Sequence, residues 1–393
     1  MTTRPCWVEI CTRNLEANYR FLSGIAGPDV ALLAIVKADA YGHSLRLCAP
    51  AAVRAGASWL GVTSVEEGIE ARRICPDARI LIISGPFPGQ ASEVIGHRLT
   101  PVIWDASHFD ELESAARAAG IRSLPIHLEI DSGMSRQGVT PESLDPILSR
   151  FHRNSPLRLE GVMTHLFAAD EADECVTADQ LTRMDNALSR IQSAGLRAGI
   201  LNVGNSAAIL AGESEHIEAL AARYHMKLLM RPGLALYGVV PEFDPSFDSV
   251  EPISLNQGRR QLHPVLTWKS RVVSLRSVPI GAVIGYNGTF IASEPMRLAL
   301  IAAGYADGLD RKLGNRFSVL VRGRSAPLVG RISMDQSVID VTEIAGVLPG
   351  DEVVLLGQQE NEVISASDHA QAAETIPWEI FTRIAARVAR IAV

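Results

Sequence analysis

Short apolar runs alternate with helix-like stretches along the first two thirds of the chain. The runs are "ALLAIVKA" (31–38), "SWLGVTS" (58–64), "RILIISG" (79–85), "LTPVIWD" (99–105), "PIHLEID" (125–131), "LEGVMTH" (159–165), "GILNVGN" (199–205) and "LLMRPGLALYG" (228–238). Near-continuous hydrophobicity of this kind predicts strands buried on both faces. Between most of them lie amphipathic or Ala-rich segments such as "SHFDELESAARAAG" and "TADQLTRMDNALSRIQSAG", which read as helices. Eight β–α units in succession predict a closed (β/α)8 barrel of the TIM type, with a doubly wound open sheet as the competing α/β topology.

The texture changes after the polar, Pro-containing stretch "PEFDPSFDSVEPISLNQGRRQ". From there strands follow closely: "VLTWKSRVVSLRSV", "RLALIAAG", "FSVLVRGRSAPLVGRI", "SVIDVT" and "DEVVLLG", several with clear alternation. Helix is expected only at "PWEIFTRIAARVARI". The reading is therefore a barrel over residues 1–245 and a C-terminal mainly-β domain over 246–393, with the first residues of the chain packing on the latter. No internal repeat or low-complexity tract interrupts it.

Composition narrows the function classes. A chain of 393 residues with 47% hydrophobic and 21% charged positions describes a globular protein of two domains. A net charge of -7 argues against nucleic-acid or acidic-membrane partners, which select basic surfaces. No apolar run reaches the roughly 18 residues of a membrane span, and the N-terminus carries no apolar signal core, so a cytoplasmic location is expected. Five scattered cysteines without a CxxC pair suggest reduced thiols rather than disulfides or a zinc site.

In a barrel of this type the chemistry gathers at the C-terminal ends of the strands. Strand one ends at Lys37, followed by Tyr41 and His43; strand five runs into "DSGMSRQG" with Arg136. Strand six ends at His165, strand seven at Asn205 and Ser206, and strand eight carries "RPG" with Arg231 and Gly233. Taken singly, Lys37 reads as a solvated strand-end lysine, Ser206 as a helix N-cap and His165 as a core histidine. Together, a lysine able to act as nucleophile or base and a Ser/Gly pair suited to a phosphate point to pyridoxal phosphate held as a Schiff base. A Schiff-base aldolase with a phosphorylated substrate satisfies the same facts.

The motifs "VKADAYGH", "HLEIDSGMSRQG", "MTHLFAAD", "GNSAA", "RPGLALYG", "IGYNGTF", "GYADG", "GRISMDQ" and "TIPWEI" stand in the order found in alanine racemases, and the chain resembles that family from about residue 35 to residue 380. The resemblance implies a pyridoxal 5'-phosphate enzyme of fold type III, working as a homodimer whose sites borrow residues from the partner's β domain. It implies Lys37 as covalent anchor and acid/base group, with Tyr286 as the opposing base. It implies that Arg136 contacts the cofactor's phenolic oxygen and the substrate, that Arg231 faces the pyridine nitrogen, and that His165 lines the ring. Tyr41, Ser206, Gly233 and Leu234 match phosphate-binding positions. Met334 and Asp335 match substrate-side residues, and Tyr305 an entrance residue. The implied activity is interconversion of L- and D-alanine, supplying D-alanine for cell-wall peptidoglycan. By pattern alone, Tyr286 would pass for a packing tyrosine, Met334 for core filler and Asp335 for a turn residue.

Racemisation needs proton-transfer groups on opposite faces of one carbon, and a lysine and a tyrosine can fill those roles. A guanidinium stays protonated, so Arg231 cannot readily pass a proton to the ring nitrogen, which favours racemisation over other pyridoxal chemistry. Three positions depart from the family pattern. Glu129 stands where many members carry a carbamylated lysine, and is expected to orient Arg136 directly. Asn202 replaces a histidine, and Trp378 a tyrosine that reaches the phosphate. The alternatives are a racemase of broader range acting on serine or larger amino acids, a decarboxylase on the same barrel, and a non-enzymatic pyridoxal-phosphate carrier. "RPG" with "GYADG" argues against the decarboxylase, and the second domain against the carrier.

Overall fold

The computed structural model describes residues 4–171, 173–244 and 252–393. The chain opens with strand β1 (Cys6–Ile10) and the helix Thr12–Ala26, then enters eight strands. These are β2 (Ala31–Ile35), β3 (Trp59–Val62), β4 (Arg79–Ile82), β5 (Thr100–Ile103), β6 (Leu124–Glu129), β7 (Leu157–Met163), β8 (Ile200–Asn202) and β9 (Lys227–Met230). Each pairs in parallel with its successor, and β9 returns to β2, closing the expected barrel. Strands such as β3 and β5 are buried at every residue, as strands covered on both faces must be. The outer helices follow their signals. Ser64 caps Val65–Ile74 and Asp105 caps Ala106–Ala118, each side chain accepting from a first-turn N–H.

Most strands are shorter than their apolar runs, and for two of them the backbone shows why. The first stops at Ile35, because residues 38–41 turn left-handed. The last stops at Met230: Pro232 has no N–H for a ladder, and residues Leu234–Tyr237 form a single 3-10 turn closed by Gly238. The compact unit containing the barrel spans residues 13–40 and 48–263. It includes the helix Ile253–Gln261, which the polar stretch had concealed. The expected boundary at 245/246 lies outside the described residues.

The second unit comprises residues 1–12, 41–47 and 264–393. Its strands are β10 (Leu266–Val278), β11 (Val283–Ile284), β12 (Phe290–Ile291), β13 (Met296–Ile301), β14 (Ser318–Val321), β15 (Arg324–Pro327), β16 (Ser337–Asp340), β17 (Glu352–Gln359), β18 (Glu362–Ile364) and β19 (Ala389–Ala392). The main sheet runs β15-β14-β17-β10-β1-β19, with β13 also on β10, β16 on β13, and β18 on β17. β1 pairs antiparallel with β10 and parallel with β19, so the N-terminus is a central strand of this sheet. The expectation of no helix before "PWEI" fails at Ala366–Ala373, where Ser365 and Asp368 form a capping box. The last expected helix ends at Arg383, and the chain then returns to the sheet as β19. No described helix is long and apolar enough to cross a membrane.

Candidate active site

Lys37 follows the C-terminal end of β2, and the four residues after it form the longest run of left-handed non-glycine backbone among the described residues. Ala38, Asp39, Ala40 and Tyr41 all adopt left-handed conformations with φ between 52° and 56°. Each non-glycine residue held so costs on the order of 1 kcal/mol or more, and such strain persists only where surrounding contacts impose it. One of those contacts is Glu67, whose carboxylate accepts from Ala38 N at 2.7 Å and from Thr63 N at 2.8 Å. The Lys37 ammonium has no hydrogen bond or ion pair among the described residues. Burial pushes its pKa down, and the nearby Arg136 and Arg231 push further in the same direction, against a smaller opposing pull from Glu67. The amine therefore gives up its proton more readily than an ordinary lysine. Tyr41 is buried, which raises the pKa of its hydroxyl.

Arg231, just past β9, is held on every side. Nη1 donates to both the carbonyl and Oδ1 of Asn202 at 2.7 Å; Nη2 donates to the Thr164 carbonyl at 2.9 Å and to His165 Nδ1 at 3.1 Å. His165 must therefore carry its proton on Nε2. Burial foremost, then the neighbouring cations, lowers its pKa to about 3, so it is neutral at physiological pH. Burial lowers Arg231 to about 10, and the guanidinium stays charged. Asn202 thus does hydrogen-bond Arg231 as a neutral group.

The expected Glu129–Arg136 pair is absent. Glu129 is buried and accepts from Gln137 Nε2, which also donates to the Ile83 carbonyl at 3.1 Å. Arg136 lies exposed on a loop shaped by Asp131, whose Oδ1 accepts from Gly133 N and Ser135 N, and it donates to none of the described residues. Glu129 sits at the strand end and Arg136 outside it, so strand alternation was a poor guide to their distance. Burial raises the Glu129 carboxyl to about 7, with Gln137 and the two arginines opposing.

That shift makes a prediction for the cofactor-free protein. The folded state binds this proton more tightly than the unfolded state, so wild-type stability falls as pH rises from the usual carboxylate range through about 7, then levels. Glu129→Gln does not titrate. Its stability relative to wild type is expected to rise across that window, by up to about 3 kcal/mol. Urea unfolding at about pH 5 and about pH 8 reads the change; an unchanged difference between the proteins would contradict it.

Ser206 is not the cap of its helix. Asn205 is, its Oδ1 accepting from Ala208 N at 3.0 Å. The Ser206 hydroxyl instead accepts from Gly233 N at 2.9 Å and Ala235 N at 3.2 Å, tying the ends of β8 and β9 together beside buried Leu234. Lys37, Arg136, His165, Ser206, Arg231, Gly233 and Leu234 thus all follow C-terminal strand ends of one barrel. Lys37, Arg136 and Arg231 bring three basic groups to this end of the barrel, with Glu67 and Glu129 as carboxyls whose charges act on them.

In the second unit, Tyr305, Met334 and Asp335 form one loop cluster. Tyr305 N donates to the Ser333 carbonyl at 3.0 Å, and Ala306 N to the Met334 carbonyl at 2.9 Å. A Cβ at Gly304 would lie 2.3 Å from the Ser333 carbonyl oxygen, so the approach requires glycine. Fully buried Asp307 fastens the cluster, accepting from Gly304 N, Arg4 and Arg387, while Arg387 also holds the Asp335 carboxylate at 2.7 Å. The turn carrying Tyr286 packs its Gly285 against Arg331 N and Gly330. Tyr286, Tyr305 and Met334 remain 66%, 42% and 53% exposed. Trp378 is half-buried in the helix Pro377–Arg383. Sequence reasoning had missed Glu67, Gln137, Asp307 and Arg387. Only Glu67 carried a signal, as the third residue after the capping Ser64.

Residues 10–241 match the family model described as alanine racemase, N-terminal domain, and residues 265–392 that of the C-terminal domain. The chain is 36% identical over 388 residues to the alanine racemase of Halothermothrix orenii, covering 99% of this chain and 97% of that one. It is 37% identical to that of Symbiobacterium thermophilum, with 98% and 97% covered. Among solved structures it resembles alanine racemase from Bacillus anthracis with bound L-Ala-P (TM-score 0.88, 30% identity, 100% and 96% covered). It also resembles that from Bartonella henselae with covalently bound pyridoxal phosphate (TM-score 0.83, 27% identity, 99% of each chain). With both domain models matched and full-length relatives above 30% identity, the chain belongs to the alanine racemase family.

Proposed function

We propose that this chain is a pyridoxal-phosphate-dependent isomerase that interconverts L- and D-alanine. The observation that carries the reading is the desolvated, unpaired amine of Lys37 beside the pinned guanidinium of Arg231, in a chain of this family. The residues fit the cofactor. An amine without a carboxylate partner suits an aldehyde, the Ser206–Gly233 junction suits a phosphate, and a cationic surround suits an anion. When bound, pyridoxal phosphate supplies the electron-withdrawing ring that acidifies the α-carbon of the amino acid it holds.

The chain's residues then divide the work. Lys37 Nζ would hold the cofactor by its aldehyde and would move a proton at one face of the α-carbon. The hydroxyl of Tyr286, offered by a second copy of the chain, moves a proton at the other. Arg231 would be the residue at the ring nitrogen and, since its own proton is not given up, would leave that nitrogen unprotonated. Arg136 would serve the phenolic oxygen and the substrate carboxylate from its exposed loop. His165 would line the ring, and Tyr41, Ser206, Gly233 and Leu234 would hold the phosphate. Met334 and Asp335 meet the substrate from the partner side, and Tyr305 narrows the entrance. The exposure of Tyr286, Tyr305 and Met334 in one region supports a homodimer that covers them, as apolar surface of this kind marks an interface. The product would serve cytoplasmic supply of D-alanine for peptidoglycan.

Chiral chromatography of L-alanine, L-serine and L-lysine, each incubated with the cofactor-loaded protein, tests the reading. D-alanine should form well ahead of the other D-isomers. Predominant D-serine or D-lysine would replace the substrate and keep the chemistry. Bound cofactor with no D-isomer would overturn racemisation.

A further inference from the structure

A polar chain crosses the barrel interior beneath Arg231 and is used by none of the roles above. Asn202 gives its Oδ1 to the Arg231 guanidinium at 2.7 Å, which leaves its Nδ2 facing His127 Nδ1 at 3.4 Å. An amide NH2 only donates, so His127 Nδ1 must accept, and the ring proton must sit on Nε2. His127 is completely buried, and Nε2 has no hydrogen-bond partner. What it faces is Glu160 Oε2 at 3.9 Å. Glu160 in turn is gripped by Arg79 and by Arg158 (3.1 Å), with Arg79 stacked 3.8 Å from the centre of the Trp59 ring.

Every member of this chain is compatible with one arrangement of protons, running from the carboxylate of Glu160 through the imidazole and the amide to the guanidinium. The neighbouring charges sustain it. Burial works against the Glu160 carboxylate, but Arg79 and Arg158 hold it below the usual range. Burial lowers His127 to about 3, so the ring stays neutral and keeps a free acceptor. The barrel also makes room for this ring in particular: residue 161, its register partner on β7, is glycine, and a Cβ there would sit 2.6 Å from the imidazole.

We infer that His127 is a positioning residue for the cofactor: backed by Glu160, it fixes the orientation of the Asn202 amide, and through it the guanidinium of Arg231. The guanidinium by itself disfavours an amide turned with its NH2 toward it, but a neutral amide with no second partner could still rotate out of line. The imidazole fixes its plane by accepting from Nδ2. This inference rests on the proposal that Arg231 faces the ring nitrogen of pyridoxal phosphate.

The test is a double-mutant cycle of His127→Leu and Asn202→Ala, read by titration with pyridoxal phosphate and by the absorbance of the bound cofactor. His127→Leu should weaken binding about tenfold and shift the absorbance maximum, the loss of roughly one oriented hydrogen bond. The double variant should be no weaker than Asn202→Ala alone, because His127 acts through Asn202. Additive losses would overturn the inference, and so would a His127→Leu protein that melts earlier but keeps wild-type affinity and spectrum. Should His127→Leu fail to fold, Gly161→Ala displaces the imidazole without removing it, and unchanged affinity there is equally fatal. If the wild type itself takes up no pyridoxal phosphate, the proposed function fails instead.

Discussion

Lys37→Ala is expected to lower alanine racemisation by about ten-thousand-fold or more, since one side chain both anchors the cofactor and moves a proton. The physical basis is local. The amine is desolvated and near Arg136, which together outweigh the opposing charge of Glu67, and it makes no hydrogen bond or ion pair among the described residues. Alanine keeps the left-handed turn that follows, because Glu67 grips the backbone N–H of Ala38 and not the lysine. The variant should therefore fold with wild-type stability while losing the absorbance of covalently held cofactor. Both are read on one sample, by D-alanine formation and by visible spectrum. Activity within tenfold of wild type would remove Lys37 from the mechanism.

Tyr286→Phe should lower kcat by roughly a hundred- to ten-thousand-fold and leave the fold intact, because the change removes one hydroxyl from a side chain that is 66% exposed. KM should move little if the hydroxyl acts on the proton and not on substrate binding. The variant also tests where the tyrosine acts. If each site combines Lys37 of one copy with Tyr286 of the other, a heterodimer of Lys37→Ala and Tyr286→Phe chains carries one intact site and one doubly defective site. Equal mixing with free exchange should then recover roughly a quarter of wild-type activity, since half the dimers are mixed and each has one working site. No recovery after verified exchange would contradict the shared site, whereas the single-variant rates would still test the tyrosine itself.

Much of the architecture was legible in the chain. Continuous apolar runs such as "WLGV" are local statements about burial, and eight of them separated by 3.6-period segments leave few topologies open. Boundaries were less legible where the backbone left the strand inside an apolar run, as after Ile35 and Met230. The helix Ala366–Ala373 was a misreading of available information, for "SASD" is a capping box in plain view.

The candidate site divides in the same way. Residues at strand ends could be named in advance, because a barrel sends its strand ends to one face whatever their sequence. Their partners could not. Glu129 was expected on Arg136 and is found on Gln137, because the loop from Asp131 to Gly138 folds back on itself, with Val139 N bonded to the Glu129 carbonyl. Arg231 is held by residues 29 and 67 positions away in sequence, and His127 meets Asn202 across 75. The periodic pattern of apolar residues sufficed for the fold class, since burial and strand direction are encoded every two to four residues, whereas the reactive groups were named from the ordered motifs of the family. Which polar group answers which inside the barrel was settled only by strand closure, because hydrogen-bond partners so far apart leave no mark on each other's local sequence.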